Sequence, residues 1–287
     1  MTTEGLPPEI GALLASLTEL TPSNDPSNVF EAALAARPSA PVQAPPTEPA
    51  TAAFGRAIAD VQHTVSLLTD KDWGLAAVND LTVGELVGHM IGTQLSMAAE
   101  FGLETRTNPS TDHIESTRES IDAGATSTAA EAAEEFSRLS TLLMTHLTSL
   151  EAQALGAESR FGTIVADVSF LLVVRVFELW THDNDLRCAV GLGRAEPDPD
   201  RLWLMTRTVM PIIDRIGGDR MRIVLTGAGG GVWPAQGDEV AEIAVDSIEF
   251  CRRVANRLPL DHLKADIIGD VSAANHVLTD LATLALD

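Results

Sequence analysis

Glu178 and His182 are the residues of this chain whose types and spacing first suggest chemistry. They stand four apart in Phe177-Glu178-Leu179-Trp180-Thr181-His182. On a helix that spacing puts both side chains on one face, about one turn apart. Phe170, Val174, Phe177 and Thr181 fall on or beside the same stripe, which turns the pair towards a bundle interior. A carboxylate there is costly unless it is paired or bound to a metal. His89, three residues after Leu86, offers a complementary imidazole from another helix. Gly88 and Gly92 flank it. Glycine inside a helix normally costs stability, so the two suit close helix approach or room for a ligand. Two imidazoles and one carboxylate make a three-ligand metal site with positions left open for water or substrate. Zinc suits such a set, and so do Fe(II), nickel and manganese. By spacing alone, the same residues also read as a surface Glu–His pair and an unrelated core histidine.

The elements that must position these residues are legible as periodic segments. Apolar residues recur at helical spacing over about 50–70, 82–101, 127–151 and 162–191. Thr82, with Glu85 three residues on, has the spacing of a capping box. The stretch after 101, with Asn108-Pro109-Ser110 inside it, reads as a loop. Four amphipathic segments with modest connections predict a four-helix bundle over 50–193. After Pro197 the texture changes. A helix is expected at about 198–216, strands at Met221–Thr226, Val232–Pro234, Glu242–Val245 and 264–268, and helices at about 246–257 and 271–285. This predicts a small α+β domain at 198–287 and an α+β fold overall. Residues 1–49 carry 9 of the chain's 15 prolines and read as an N-terminal arm with short helical pieces at about 8–19 and 28–36.

Composition narrows the class. The 287 residues include 41 Asp+Glu against 19 Lys+Arg, a formal charge of −22. Nucleic-acid binding needs a concentrated basic face, so that class is not expected. Docking on an anionic membrane by charge is equally disfavoured. Cys188 and Cys251 are the two cysteines, too few for a disulfide framework, and no C-x-x-C pair suggests a zinc ribbon or iron–sulfur site. The start lacks the basic and apolar regions of a secretory signal, and no apolar run is long enough to span a bilayer. The expectation is a cytoplasmic protein, monomeric or homodimeric, acting on small molecules.

Two stretches are familiar together. Leu81-Thr-Val-Gly-Glu-Leu-Val-Gly-His89 and Glu178-Leu-Trp-Thr-His182-Asp-Asn-Asp185-Leu resemble the mycothiol-dependent maleylpyruvate isomerase family, one of the DinB-like metal-binding four-helix bundles. Trp73, ahead of the second helix, fits the same pattern, as does the tail from Asp246 through Arg257 to Gly269-Asp270. The resemblance implies a divalent metal, zinc first, held by His89, Glu178 and His182. It also implies mycothiol as a thiol cosubstrate and a small electrophile as substrate. A metal lowers the pKa of a group in its open position, so a thiol there would be a thiolate. Addition of that thiolate to an electron-poor double bond leads to cis–trans isomerisation if the adduct rotates and expels it. It leads to S-conjugation if the adduct persists, and to thiol exchange if another sulfur leaves. Two other readings use the same residues: a non-catalytic metal- or thiol-binding protein, and a non-haem iron oxidative enzyme.

Further residues could support this set. Asp185 lies near the face of His182 and could orient its imidazole, or be a solvated helix-end carboxylate. Arg222 and Arg257 are candidates to hold a thiol or substrate carboxylate, and Arg175 either approaches the site or forms an ordinary salt bridge. Gly227-Ala-Gly229-Gly230-Gly231 reads as a hairpin loop, since Val232-Trp-Pro follows where a nucleotide-binding helix would be needed. Cys188 and Cys251 are expected in the core. His63, His113, His146, His262 and His276 are expected at the surface or as caps, and Trp180, Trp203 and Trp233 as packing residues.

Overall fold

The computed structural model describes residues 49–105, 113–150, 152–161 and 164–285. The N-terminal arm, apart from its last residue, and the Asn108-Pro109-Ser110 segment lie outside the described residues. In chain order the elements are α1 (Ala50–Leu67), β1 (Ala76–Val78), β2 (Leu81–Thr82), α2 (Val83–Glu100), α3 (His113–Thr126), α4 (Ala129–Ser149), the single turn α5 (Ala152–Leu155), β3 (Glu158–Phe161), β4 (Ile164–Asp167) and α6 (Val168–Ala189). The sheet-bearing part follows with α7 (Pro199–Ile213), β5 (Met221–Thr226), β6 (Gly231–Trp233), β7 (Ala241–Asp246), α8 (Ser247–Val254), β8 (Ala265–Gly269) and α9 (Val271–Asp280).

Helices α1, α2, α4 and α6 form the bundle. Their starts are chemically marked. Thr82 Oγ1 accepts from Glu85 N while Thr82 N donates to Glu85 Oε2, and Thr128 and Glu131 repeat the arrangement at α4. These boxes satisfy backbone N–H groups that the first helical turn leaves over. Asp167 caps α6 by accepting from Phe170 N at 2.7 Å. Phe54, Ala57, Ile58, Val61 and Val65 bury one stripe of α1, and Phe136, Leu139, Leu143 and Leu147 one stripe of α4.

Two features depart from the sequence reading. The stretch after 101 contains a helix, α3, where a loop was expected. It packs against α2 through small residues: a Cβ added to Gly88 would lie 2.2 Å from Ser120 O, and one added to Gly124 would lie 2.3 Å from Gly84 O. Gly88 and Gly92 therefore serve helix approach. Trp73 donates from Nε1 to Gly124 O at 2.8 Å, tying α3 to the segment ahead of α2. The second departure precedes α6. The fourth segment was expected to be helical from 162, but residues 158–167 include the antiparallel β3–β4 hairpin and the helix begins at Val168.

The sheet has the order β6-β5-β7-β8, with β5 and β7 parallel and the outer pairs antiparallel. The glycine-rich stretch connects β5 to β6 as a hairpin. The expected helix at 271–285 gives way after Asp280 to a 3₁₀ turn, Leu281–Leu284. Residues from both parts of the chain, Phe54 and Leu86 as well as Leu202, Ile243 and Leu281, belong to one continuous apolar core.

Candidate metal centre

Helix α6 carries the centre of the site and is buried on nearly every face, from Leu172 and Val176 to Trp180 and Leu186. That all-round burial is why Glu178 and His182 lie inside, at 8% and 3% exposure. The stripe first used to place them does something else. Phe170, Val174 and Phe177 line a separate cavity of about 590 Å³ between β4, α6, α7 and the C-terminal residues Thr283–Ala285.

His89 on α2, Glu178 and His182 come together. One ligand atom of each lies within 4.8 Å of the other two, and all three residues are buried. His89 Nε2 stands 3.5 Å from Glu178 Oε1. The two imidazole rings meet edge to face, with centroids 5.2 Å apart. Each ring is held from behind. His89 Nδ1 lies 3.0 Å from Thr117 Oγ1 on α3, and His182 Nδ1 lies 3.2 Å from Asp185 Oδ2. With Nδ1 donating to those oxygens, each Nε2 keeps its lone pair for a ligand bond, the arrangement that orients metal-binding histidines. The donor set, two neutral imidazoles and a carboxylate, suits a divalent ion.

Glu178 has a second neighbour. Arg175, one turn earlier and fully buried, forms an ion pair with it and donates to Thr93 Oγ1 at 2.7 Å. The fixed cation offsets the buried carboxylate. Asp185 joins this centre to the sheet-bearing part, since Arg257 Nε lies 2.9 Å from Asp185 Oδ1 and Arg257 Nη2 lies 3.0 Å from Oδ2. Burial opposes ionisation of Asp185, but hydrogen bonds from His182 and Arg257 outweigh it and hold its carboxyl below the ordinary range.

Other candidates fall elsewhere. Arg222 Nε stands 3.0 Å from Glu242 on the neighbouring strand β7, so this arginine is engaged within the sheet and is not brought to Asp185. Cys188 is exposed, against the expectation of a core thiol, because the end of α6 emerges there beside Arg187 and Ala189. Cys251 is buried. Trp180 packs edge to face on Phe177 and donates to Ala195 O. Arg207 lies over the rings of Trp203 and Trp233, so those two pack as a cation sandwich. His63, His262 and His276 are exposed, and His146 stacks on Phe101. Thr117 and Thr93 were missed from the sequence. The spacing Thr117, Ile121, Gly124 could have revealed α3 and with it the partner of His89.

Residues 54–187, nearly the whole bundle, match the family model described as mycothiol maleylpyruvate isomerase N-terminal domain. The bundle resembles that family. A crystal structure of the mycothiol-dependent maleylpyruvate isomerase is similar to this chain, with a TM-score of 0.55 and 18% identity over 76% of this chain and 91% of that one. A histidine-to-alanine variant of that isomerase matches with the same TM-score, at 17% identity. At such identity the likeness shows the isomerase fold, a helical N-terminal part followed by a sheet-bearing C-terminal part. No curated protein matches the sequence. No helix among the described residues is long and apolar enough to cross a membrane.

Proposed function

We propose that this chain is a metal-dependent enzyme that uses mycothiol as its nucleophile on a small electrophile such as maleylpyruvate, giving cis–trans isomerisation or S-transfer. The observation that carries the reading is the buried triad of His89, Glu178 and His182, with each imidazole's Nδ1 taken by Thr117 or Asp185. A divalent ion held there would keep a neighbouring thiol as its thiolate at neutral pH. Zinc fits the donors, and the same set admits iron, nickel or manganese.

The chain's own residues then have distinct tasks. Thr117 and Asp185 fix the two rings. Arg175 compensates the charge of Glu178, so the site keeps a net positive character that favours an anionic sulfur over a neutral one. Arg257 holds Asp185 from the sheet-bearing part and so ties that part to the residue behind the His182 ring. The thiolate adds to the activated double bond, the resulting single bond rotates, and the thiolate leaves again. No atom is gained or lost. If the adduct instead takes a proton and is released, the product is an S-conjugate.

The test is an assay with mycothiol, maleylpyruvate and added Zn²⁺, run on the wild type and on His182→Ala. Conversion to fumarylpyruvate, or build-up of a mycothiol adduct, by the wild type alone supports the reading. Conversion by His182→Ala at the wild-type rate would remove the triad from the reaction.

A further inference from the structure

A cleft of about 90 Å³ opens beside the C-terminal half of α6. Its walls include Thr181, Asp185 and Cys188 from α6, Arg194 from the segment that follows, and Arg252 and Arg257 from α8 and the turn beyond it. Three arginines line one small space in a chain whose formal charge is −22. Asp185 is the one carboxylate in that lining, and its oxygens are already engaged by His182 and Arg257. Arg257 is likewise committed, to Asp185 and to Ala255 O. The side chains of Arg194 and Arg252 have no hydrogen-bond or carboxylate partner among the described residues. Their two forks are left to meet something that enters the cleft.

A guanidinium fork matches a carboxylate with two parallel hydrogen bonds, and low-dielectric walls strengthen the attraction. The cleft is too small for a whole thiol cofactor and large enough for the acidic end of a small molecule. None of His89, Glu178 and His182 lines it; Asp185, which accepts from His182 Nδ1, stands in its wall. We propose that this cleft is a binding site for a small carboxylate, gripped by Arg194 and Arg252 beside the Arg257–Asp185 pair. The site is separate from the ligand positions at the triad and does not depend on metal or thiol.

The cleft contains its own reporter. Cys188 is exposed in its wall, and the second cysteine, Cys251, is fully buried. The experiment compares alkylation of Cys188 in the full-length protein by iodoacetate, an anion, and by iodoacetamide, its neutral counterpart. Rates are referred to those of glutathione. The expected result is an iodoacetate preference raised about tenfold over the free thiol, the lower end of electrostatic focusing by a charged cleft. Millimolar succinate should slow both reagents. Both effects should vanish in Arg194→Gln/Arg252→Gln, whose thermal unfolding should match the wild type. A rate ratio equal to that of glutathione, with no succinate protection, would overturn the proposal. So would a preference that survives in the double variant, or equal protection by chloride at matched ionic strength. None of these readouts involves metal content or turnover, so failure here leaves the proposed function standing, and the reverse also holds.

Discussion

Asp185 touches the two parts of the chain at once, through His182 Nδ1 on one side and the Arg257 guanidinium on the other. Replacing it by Asn keeps the size but removes the charge that fixes the ring. Metal affinity in Asp185→Asn is expected to fall about 10- to 100-fold, the usual cost of losing a partner behind a ligating histidine. Competition with a chromogenic chelator reads this directly. Thr117→Val should weaken metal binding in the same direction and by less, because a neutral hydroxyl orients His89 without charge. Unchanged affinity in both variants would mean that the rings are held by packing alone. The grouping of His89, Glu178 and His182 was expected from the family resemblance, since the Glu178/His182 spacing alone read equally as a surface pair. Their supports were less legible. Asp185 was visible by its position three residues after His182. Thr117 was hidden in a stretch whose polar residues resembled a loop, and the Arg257 pairing joins residues 72 apart.

Helix α6 shows why periodicity alone misplaces a buried helix. Residues on all sides of it are covered, so no single apolar stripe marks the face that holds Glu178 and His182. The stripe read from the sequence faces a cavity instead. The helices α1 and α4 have a solvent side and were read nearly to their ends, and α2, though covered almost all round, was marked at its start by the Thr82–Glu85 capping box. Helix α3 contacts α2 through glycine, serine and threonine, where apolar patterning gives no signal. The Gly88→Ala variant puts a methyl group against Ser120 O and should destabilise the chain by roughly 1–3 kcal/mol, as overpacking does. Urea unfolding measures it, and a loss below 0.5 kcal/mol, the usual scatter of surface substitutions, would mean the helices separate at little cost.

The far face of α6 supplies a pH dependence. Burial pushes Asp183 up to about 6, against a hydrogen bond from Thr64 and the nearby Arg187. In the unfolded chain an aspartate titrates near 3.9. Its contribution to stability is therefore present in full below that value and lost as pH rises through about 6. The wild type should lose stability between about pH 4 and 6 relative to Asp183→Asn. Above pH 6 the variant should be the more stable by about 3 kcal/mol. Parallel stability curves across that range would show that Asp183 is not desolvated in solution.

At the scale of the molecule, bundle and sheet share one apolar core, and polar ties run between them as well. Arg201 at the start of α7 pairs with Asp60 of α1 and with Asp198, and Arg56 of α1 also reaches Asp198. The change of texture after Pro197 was legible in the sequence, but the continuity of the core was not, since it depends on contacts between distant segments. Such a core predicts one cooperative unfolding transition, with far-UV and near-UV circular dichroism coinciding in urea. Two separated transitions would show that bundle and sheet unfold independently.

The central claim is that His89, Glu178 and His182 hold a divalent metal that recruits a thiol. Elemental analysis of the purified protein and of His89→Ala, combined with a mycothiol titration of both, tests it most directly. The account predicts close to one divalent ion per wild-type chain, little in the variant, and mycothiol binding that disappears with the metal. A wild type that takes up no divalent ion after reconstitution, or that binds mycothiol equally well without one, would contradict it.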